Sequence, residues 1–303
     1  MRIGVVVPNQ RATVASVRTH LVRLEHLGVD SAWMPGIPNG PDILTLLAVA
    51  GQATEHLELG TAIVPTHPRH PVALAAQALT VDDALGGRLT LGIGVSHEKV
   101  IDGQLGLDFD RPVRHVREYL SILRPLLAEQ RVDFQGETMR TRIRLDASVS
   151  GRPPPPVLLA ALGDQMLRLA GSLADGFVSW MTGLRTLEDH SIPVITAAAR
   201  EAGRDAPRIM VGLPILLTDD AAAGRARADQ EFAVYGRLPS YRAMLEAEGA
   251  ISPGDIAVVG DEAAIAGTLK RVEEMGATDF QATPFGDEEE IARTVELLAS
   301  RPV

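Results

Sequence analysis

An imidazole and a carboxylate stand next to each other at His97 and Glu98, one residue beyond the apolar run 88–95. They are the only adjacent acid and base at the end of an expected strand, so His97 is the candidate proton donor and Glu98 a candidate tuner. The competing reading is a loop histidine that only hydrogen-bonds a ligand or solvent. His67 and His70 lie three apart in a proline-rich stretch without a neighbouring carboxylate, and read as solvated or capping groups rather than metal ligands. No metal site is expected. Leu162, Gly163, Asp164 and Gln165 fall at an expected strand-to-helix turn, where free backbone N–H groups can hold a phosphate. Asp164 could equally serve only to stabilise the start of its helix. Gly92 and Gly94 lack the third glycine of a dinucleotide fingerprint and lie within a strand, so they mark close packing or ligand approach. Neither a serine nucleophile elbow nor a phosphate-cradling lysine loop occurs.

Groups like these act only if the chain gathers them at one end of a sheet. Strand patterns are expected at 2–8, 29–34, 57–64, 88–95, 157–161, 176–181, 208–218 and, as the eighth, 256–260. Helical patterns follow them at 14–27, 43–53, 72–85, 112–128, 163–174, 187–202 and 221–248, the last broken near Gly236 and Pro239. Helices at 263–275 and 288–299 close the chain. Strand after strand followed by helix predicts a parallel α/β protein, and eight units favour a (β/α)8 TIM barrel over an open sheet. It would be one domain over 1–303, with insertions after strands four (an irregular hairpin at 131–144) and seven. The strand ends would then share one pocket. Its centre would be 57–71, where an apolar strand stops at Pro65, Pro68 and Pro71.

Composition narrows the partners. A formal net charge of −10 with no Lys/Arg-rich run argues against nucleic acid and anionic membranes. Zero cysteines exclude disulfides and thiolate metal sites and fit a reducing cytoplasm, the expected location. Met1 leads straight into the first strand with no signal-peptide pattern, and no apolar run is long enough to span a membrane. Aromatic residues make up only 4% of the chain, so the core should be Leu, Val, Ala and Ile.

Taken in order, several segments resemble the luciferase-like monooxygenase superfamily, and within it the oxidoreductases that use the deazaflavin coenzyme F420. They are Leu59-Gly-Thr-Ala-Ile-Val64 with Arg69-His-Pro71, Gly86-Gly-Arg-Leu-Thr-Leu-Gly-Ile-Gly94, Arg117-Glu-Tyr-Leu120, and Val132-Asp-Phe-Gln-Gly-Glu137. Ala160-Ala-Leu-Gly163, Leu169-Ala-Gly171 and Ala174-Asp-Gly176 complete the series. The resemblance covers nearly the whole chain.

It implies a barrel with coenzyme F420, or alternatively FMN, bound at the strand C-terminal ends, and hydride transfer to or from a small organic substrate. By position, Ala62 and Ile63 would form a bulge behind the ring, with a cis peptide between them. Ser96 and His97 would flank the cofactor. Ala161, Leu162, Gly163, Asp164 and Gln165 would face its phosphate-bearing tail, and Trp180, Met181, Thr182 and Gly183 would line the tail's other side. Relatives often carry Gly-Pro-Arg where Gly163-Asp164-Gln165 stands, so a cationic phosphate contact is absent and Asp164 must point away or be bridged. The Asp-His pair that sugar-phosphate dehydrogenases of this type show after strand two is replaced by Trp33-Met34-Pro35-Gly36, which argues against sugar-phosphate oxidation. The expected activity is hydride transfer to a neutral, fairly apolar electrophile. The alternatives are a reduced-FMN monooxygenase and a non-catalytic deazaflavin-binding protein. A homodimer is expected from the family.

Overall fold

A computed structural model describes residues 1–147 and 151–301. In β1 (Arg2–Val6), Ile3 and Val5 join the large core under the helices, while Gly4 and Val6 alternate to the opposite, inner face. The same alternation recurs around a ring of parallel strands. These are β1, β2 (Ser31–Met34), β3 (Glu58–Thr61) with its two-residue continuation β4 (Val64–Pro65), and β5 (Leu89–Gly94). After the antiparallel hairpin β6 (Arg131–Gln135) and β7 (Arg140–Arg144) come β8 (Val157–Ala160), β9 (Gly176–Val178), β10 (Arg208–Leu217), β11 (Val258–Gly260) and β12 (Asp279–Pro284).

Pairing runs β10-β12-β1-β2-β3-β5-β8-β9, and β9 pairs back onto β10, which closes a barrel of eight strands. The expected (β/α)8 fold is therefore present. Its eighth strand is β12, however, not 256–260. Asp279, Gln281 and Thr283 alternate with Phe280 and Ala282, so the polar residues of β12 face a polar barrel interior and mask the strand in a hydrophobicity reading. The segment assigned as strand eight does contain β11. It pairs with Ile215–Leu217, the overhanging end of the ten-residue β10, outside the closed ring.

Helices are fixed by local chemistry that the sequence displays. Thr13 and Ser16 form a capping box for Val14–Leu27, and Gly28 (φ +82°) ends it in the left-handed region. His70 caps Pro71–Ala84 through Nδ1, which accepts from the Val72 N–H at 3.2 Å, in line with the capping reading of that histidine. Between β10 and β12 the chain breaks into Ala221–Glu231, Tyr235–Arg237, Pro239–Glu248 and Pro253–Ile256, so the expected break near Gly236 and Pro239 is present.

The hairpin hangs on one carboxylate. Glu118, buried on the helix Pro112–Glu129, accepts from the N–H groups of Glu137, Thr138 and Met139 at 2.8, 2.9 and 2.8 Å and from the Thr138 hydroxyl at 2.7 Å. Burial pushes its pKa up, but the Thr138 and Met139 hydrogen bonds outweigh burial and hold it below the ordinary value. Glu118→Gln turns one acceptor into a donor facing N–H groups, and should cost about 1–3 kcal/mol in urea unfolding at pH 7. A depressed carboxyl stabilises above its unfolded pKa of 4.5 and loses that contribution as pH falls through the folded value. The gap between the two proteins should therefore close in acid. A gap that stays constant down to pH 3 would show that the carboxylate charge is not the anchor.

Candidate active site

The barrel interior is divided by one indole. Trp33 lies across it between two glycines: a Cβ on Gly4 would sit 2.6 Å from Nε1, and one on Gly60 would sit 2.1 Å from Cζ3. Its N–H donates to Ser31 Oγ at 2.8 Å. Beneath it, Arg208 meets Asp279 at 2.5 Å and Glu58 at 2.8 Å, Thr90 donates to Glu58 at 2.8 Å, and Arg2 meets Glu58 at 2.7 Å. The Arg208 guanidinium is 5.7 Å from the Trp33 ring centroid. Packed with Trp33 are buried Leu158, Val178 and Met210, together with half-buried Val6, Ala62, Ile63 and Ala160. These half-buried side chains form an apolar floor at the C-terminal end of the barrel.

Ala62 and Ile63 belong to that floor because the strand is interrupted there. The peptide between them is cis, as the resemblance implied, and the continuous strand 57–64 expected from sequence is split into β3 and β4. The Ala62 N–H donates to Met34 O at 2.9 Å, and the Gly36 N–H donates to Ile63 O at 3.1 Å, so the bulge is held from β2. Gly92 is required beside it, since a Cβ there would lie 2.0 Å from Thr61 O; Gly94 packs against Ile63 and Ala160. The close-packing reading of these two glycines holds.

Past β5, Ser96 takes a left-handed backbone (φ +62°) and turns the chain so that His97 precedes the short helix Glu98–Ile101. His97 is half-buried, and its edge meets the Tyr241 ring at 5.7 Å between centroids. Neither imidazole nitrogen is bonded within the described residues, and neither is sealed from solvent. Burial lowers the His97 pKa below 6.5. Glu98 is exposed. His67 is not a solvated loop residue: it stacks on His115 at 3.9 Å with 10° between planes, and on Phe109 at 5.1 Å. Burial, then the neighbouring His67, bring His115 down to about 4, while its Nε2 lies 3.0 Å from Thr66 Oγ1.

Two helix starts face the mouth, and they differ. Gly163 precedes Asp164–Leu173 without any side-chain cap, and Asp164 turns outward to His190 Nε2 at 2.8 Å. The N–H groups that open this helix are thus left for a ligand, with Ala161 buried, Leu162 half-buried and Gln165 exposed around them. At Gly183 the equivalent position is filled from within. The Glu248 carboxylate accepts from the Thr186 N–H and hydroxyl at 2.7 and 2.6 Å and from the Arg185 N–H at 3.1 Å. Trp180 is half-buried, Met181 (φ +52°) and Thr182 are buried, and all three run along the wall between the two helix starts.

The rest of that wall was missed in the sequence. Trp180 makes edge contacts with Phe232 at 6.0 Å and Tyr235 at 5.6 Å, Tyr235 with Tyr241 at 5.0 Å, and Phe232 with Phe285 at 5.5 Å. Five of the eleven Trp, Tyr and Phe residues thus gather at one end of the barrel. Three of them fall between 232 and 241, a density that stands out in so aromatic-poor a chain and was the available signal. Among the described residues no group of three metal-ligating side chains occurs, and no helix is long and apolar enough to cross a membrane.

The same arrangement of strands is found in solved structures. The coenzyme F420-dependent tetrahydromethanopterin reductase from Methanopyrus kandleri superposes with a TM-score of 0.81 at 20% identity, covering 99% of this chain and 97% of that one. The FMN-bound oxygenating constituent of 3,6-diketocamphane monooxygenase from Pseudomonas putida gives 0.79 at 18%, covering 99% and 97%. In sequence, the chain is 32% identical over 230 residues to the F420-dependent glucose-6-phosphate dehydrogenase of Intrasporangium calvum, covering 70% of this chain and 68% of that protein. The model of the luciferase-like monooxygenase family matches residues 1–301. With the barrel, the interrupted third strand and this match in agreement, the chain belongs to the luciferase-like monooxygenase family.

Proposed function

We propose that this protein is a coenzyme F420-dependent oxidoreductase acting on a small, neutral, largely apolar substrate. One observation carries the reading: an apolar, half-exposed floor (Val6, Ala62, Ile63, Ala160) shares the barrel mouth with an uncapped helix start at Gly163. A planar ring suits the first and a phosphate the second. The F420-dependent relative supports the same choice of coenzyme.

When bound, the deazaflavin supplies the hydride chemistry. The chain's own residues do the rest. Ala62 and Ile63 would support the coenzyme's ring, the N–H groups opening Asp164–Leu173 would hold its phosphate, and Trp180, Phe232 and Tyr235 would keep water from the mouth. His97 carries the proton that must accompany hydride. Sugar phosphates are not the proposed substrate, because Trp33-Met34-Pro35-Gly36 stands at the end of β2 in place of an Asp-His pair and the walls are aromatic.

Fluorescence titration decides between coenzymes: deazaflavin F420 should bind at least tenfold more tightly than FMN. The solved FMN-bound neighbour makes FMN the alternative, and tighter FMN binding would favour a reduced-flavin monooxygenase. Tight F420 binding without turnover on any enone, imine or ketone would mark a binding protein.

A further inference from the structure

We propose that Tyr241, brought in by the helix Pro239–Glu248, donates a hydrogen bond to the polar atom of the neutral substrate beside His97. This rests on reading the mouth as an oxidoreductase site, and it makes the segment between β10 and β12 the source of one substrate-recognition group.

The geometry is specific. The Tyr241 ring is buried, with 9% of its surface exposed, wedged between Tyr235 at 5.0 Å and the edge of His97 at 5.7 Å. Its hydroxyl has no partner among the described residues, yet it is not enclosed. A phenol held by its ring on two sides, with an O–H that makes no hydrogen bond within the described residues, is placed to donate to a group that enters beside His97. Burial, then the neighbouring Tyr235, push its pKa above the ordinary phenol value, so it remains a neutral donor throughout the working pH range. A neutral acceptor such as a carbonyl or imine is the matching chemistry; a carboxylate or phosphate would gain no countercharge from it.

Glu248 is the positioning residue. It lies two turns beyond Tyr241 on the same helix, and its carboxylate fills the helix start at Gly183, bonded to Thr186 and Arg185. Arg185 returns a hydrogen bond to Ala247 O at 2.9 Å. Leu245, one turn from Tyr241, is buried in the same cluster as Met181 and Ile256. The helix end is thereby tied to the barrel, and the ring of Tyr241 is held against His97.

Ligand-observed NMR on the full chain without coenzyme tests this with cyclohex-2-enone and cyclohexene, which differ in the carbonyl. The wild type should prefer the enone, and Tyr241→Phe, which keeps the ring contacts, should weaken enone binding about tenfold and leave cyclohexene unchanged. Glu248→Gln should remove part of the preference. Enone preference retained in Tyr241→Phe, or absent from the wild type, overturns the inference. Titrating the same proteins with F420 separates the two readings. A Tyr241-dependent enone preference without coenzyme binding leaves the hydrogen bond standing and removes the oxidoreductase reading. Coenzyme binding with an unaltered preference does the reverse.

Discussion

Replacing His97 with alanine is expected to lower turnover by about 100- to 10,000-fold, the usual contribution of a general acid, while the coenzyme dissociation constant changes less than threefold. The side chain sits in the mouth with both nitrogens free, so no structural hydrogen bond is lost with it. Its pKa is lowered by burial, so the charged form is populated at lower pH than for an ordinary histidine. A step that needs imidazolium should therefore speed up as pH falls through that depressed value, and the alanine variant should lack this limb. Steady-state rates from pH 5 to 8 together with a binding titration measure both. A variant that loses affinity but keeps its rate would make His97 a ring contact rather than a proton donor.

Arg208→Ala should be the most damaging change to stability, at about 3–5 kcal/mol in denaturant unfolding. Arg2, 41% exposed, meets Glu58 at 2.7 Å but Asp279 only at 3.8 Å, whereas Arg208 meets Asp279 at 2.5 Å and Glu58 at 2.8 Å in this enclosed layer. Removing it leaves two carboxylates inside the barrel with one half-solvated counterion. The pair-breaking cost is what matters here, since an intact buried ion pair adds little by itself. Asp279→Asn in the Arg208→Ala background should recover part of the loss, because it withdraws one of the uncompensated charges. A loss below 1 kcal/mol for Arg208→Ala would mean that water reaches this layer freely.

Most of the barrel was legible because its outward-facing positions are apolar at the period of each element. Leu59, Leu89, Leu91 and Ile93 on strands, and Val17, Leu21 and Leu24 on the first helix, all announce their elements. The inner face follows different rules. Asp279 on β12 points into a charged layer and Gln281 lies beside Gly212, so a real strand carried no continuous apolar run, and an overhang pairing at Val258–Gly260 stood in its place as the eighth. The interruption at Ala62 and Ile63 is invisible to periodicity and entered only through family resemblance. His67 shows the limit of local reading most plainly. Its stacking partners, Phe109 and His115, lie more than forty residues away, and nothing in the proline-rich loop signals them. Tyr241 is similar: its helix was foreseen, but its contact with His97 depends on how 221–248 folds back across the barrel mouth.

Trp33 has a consequence for how the site can be tuned. The indole separates a compartment of fixed charge from the apolar floor, and Gly4 and Gly60 are cut back to admit it. Anything resting on Val6, Ala62, Ile63 and Ala160 is thus separated from the ion pairs below by an aromatic plate. Substitutions that alter the surroundings of such a group therefore belong in the loops and the aromatic helices above the floor, which can change without altering the strands. The charged layer at the barrel base and the shell above the floor do not share side chains, so the two can vary independently.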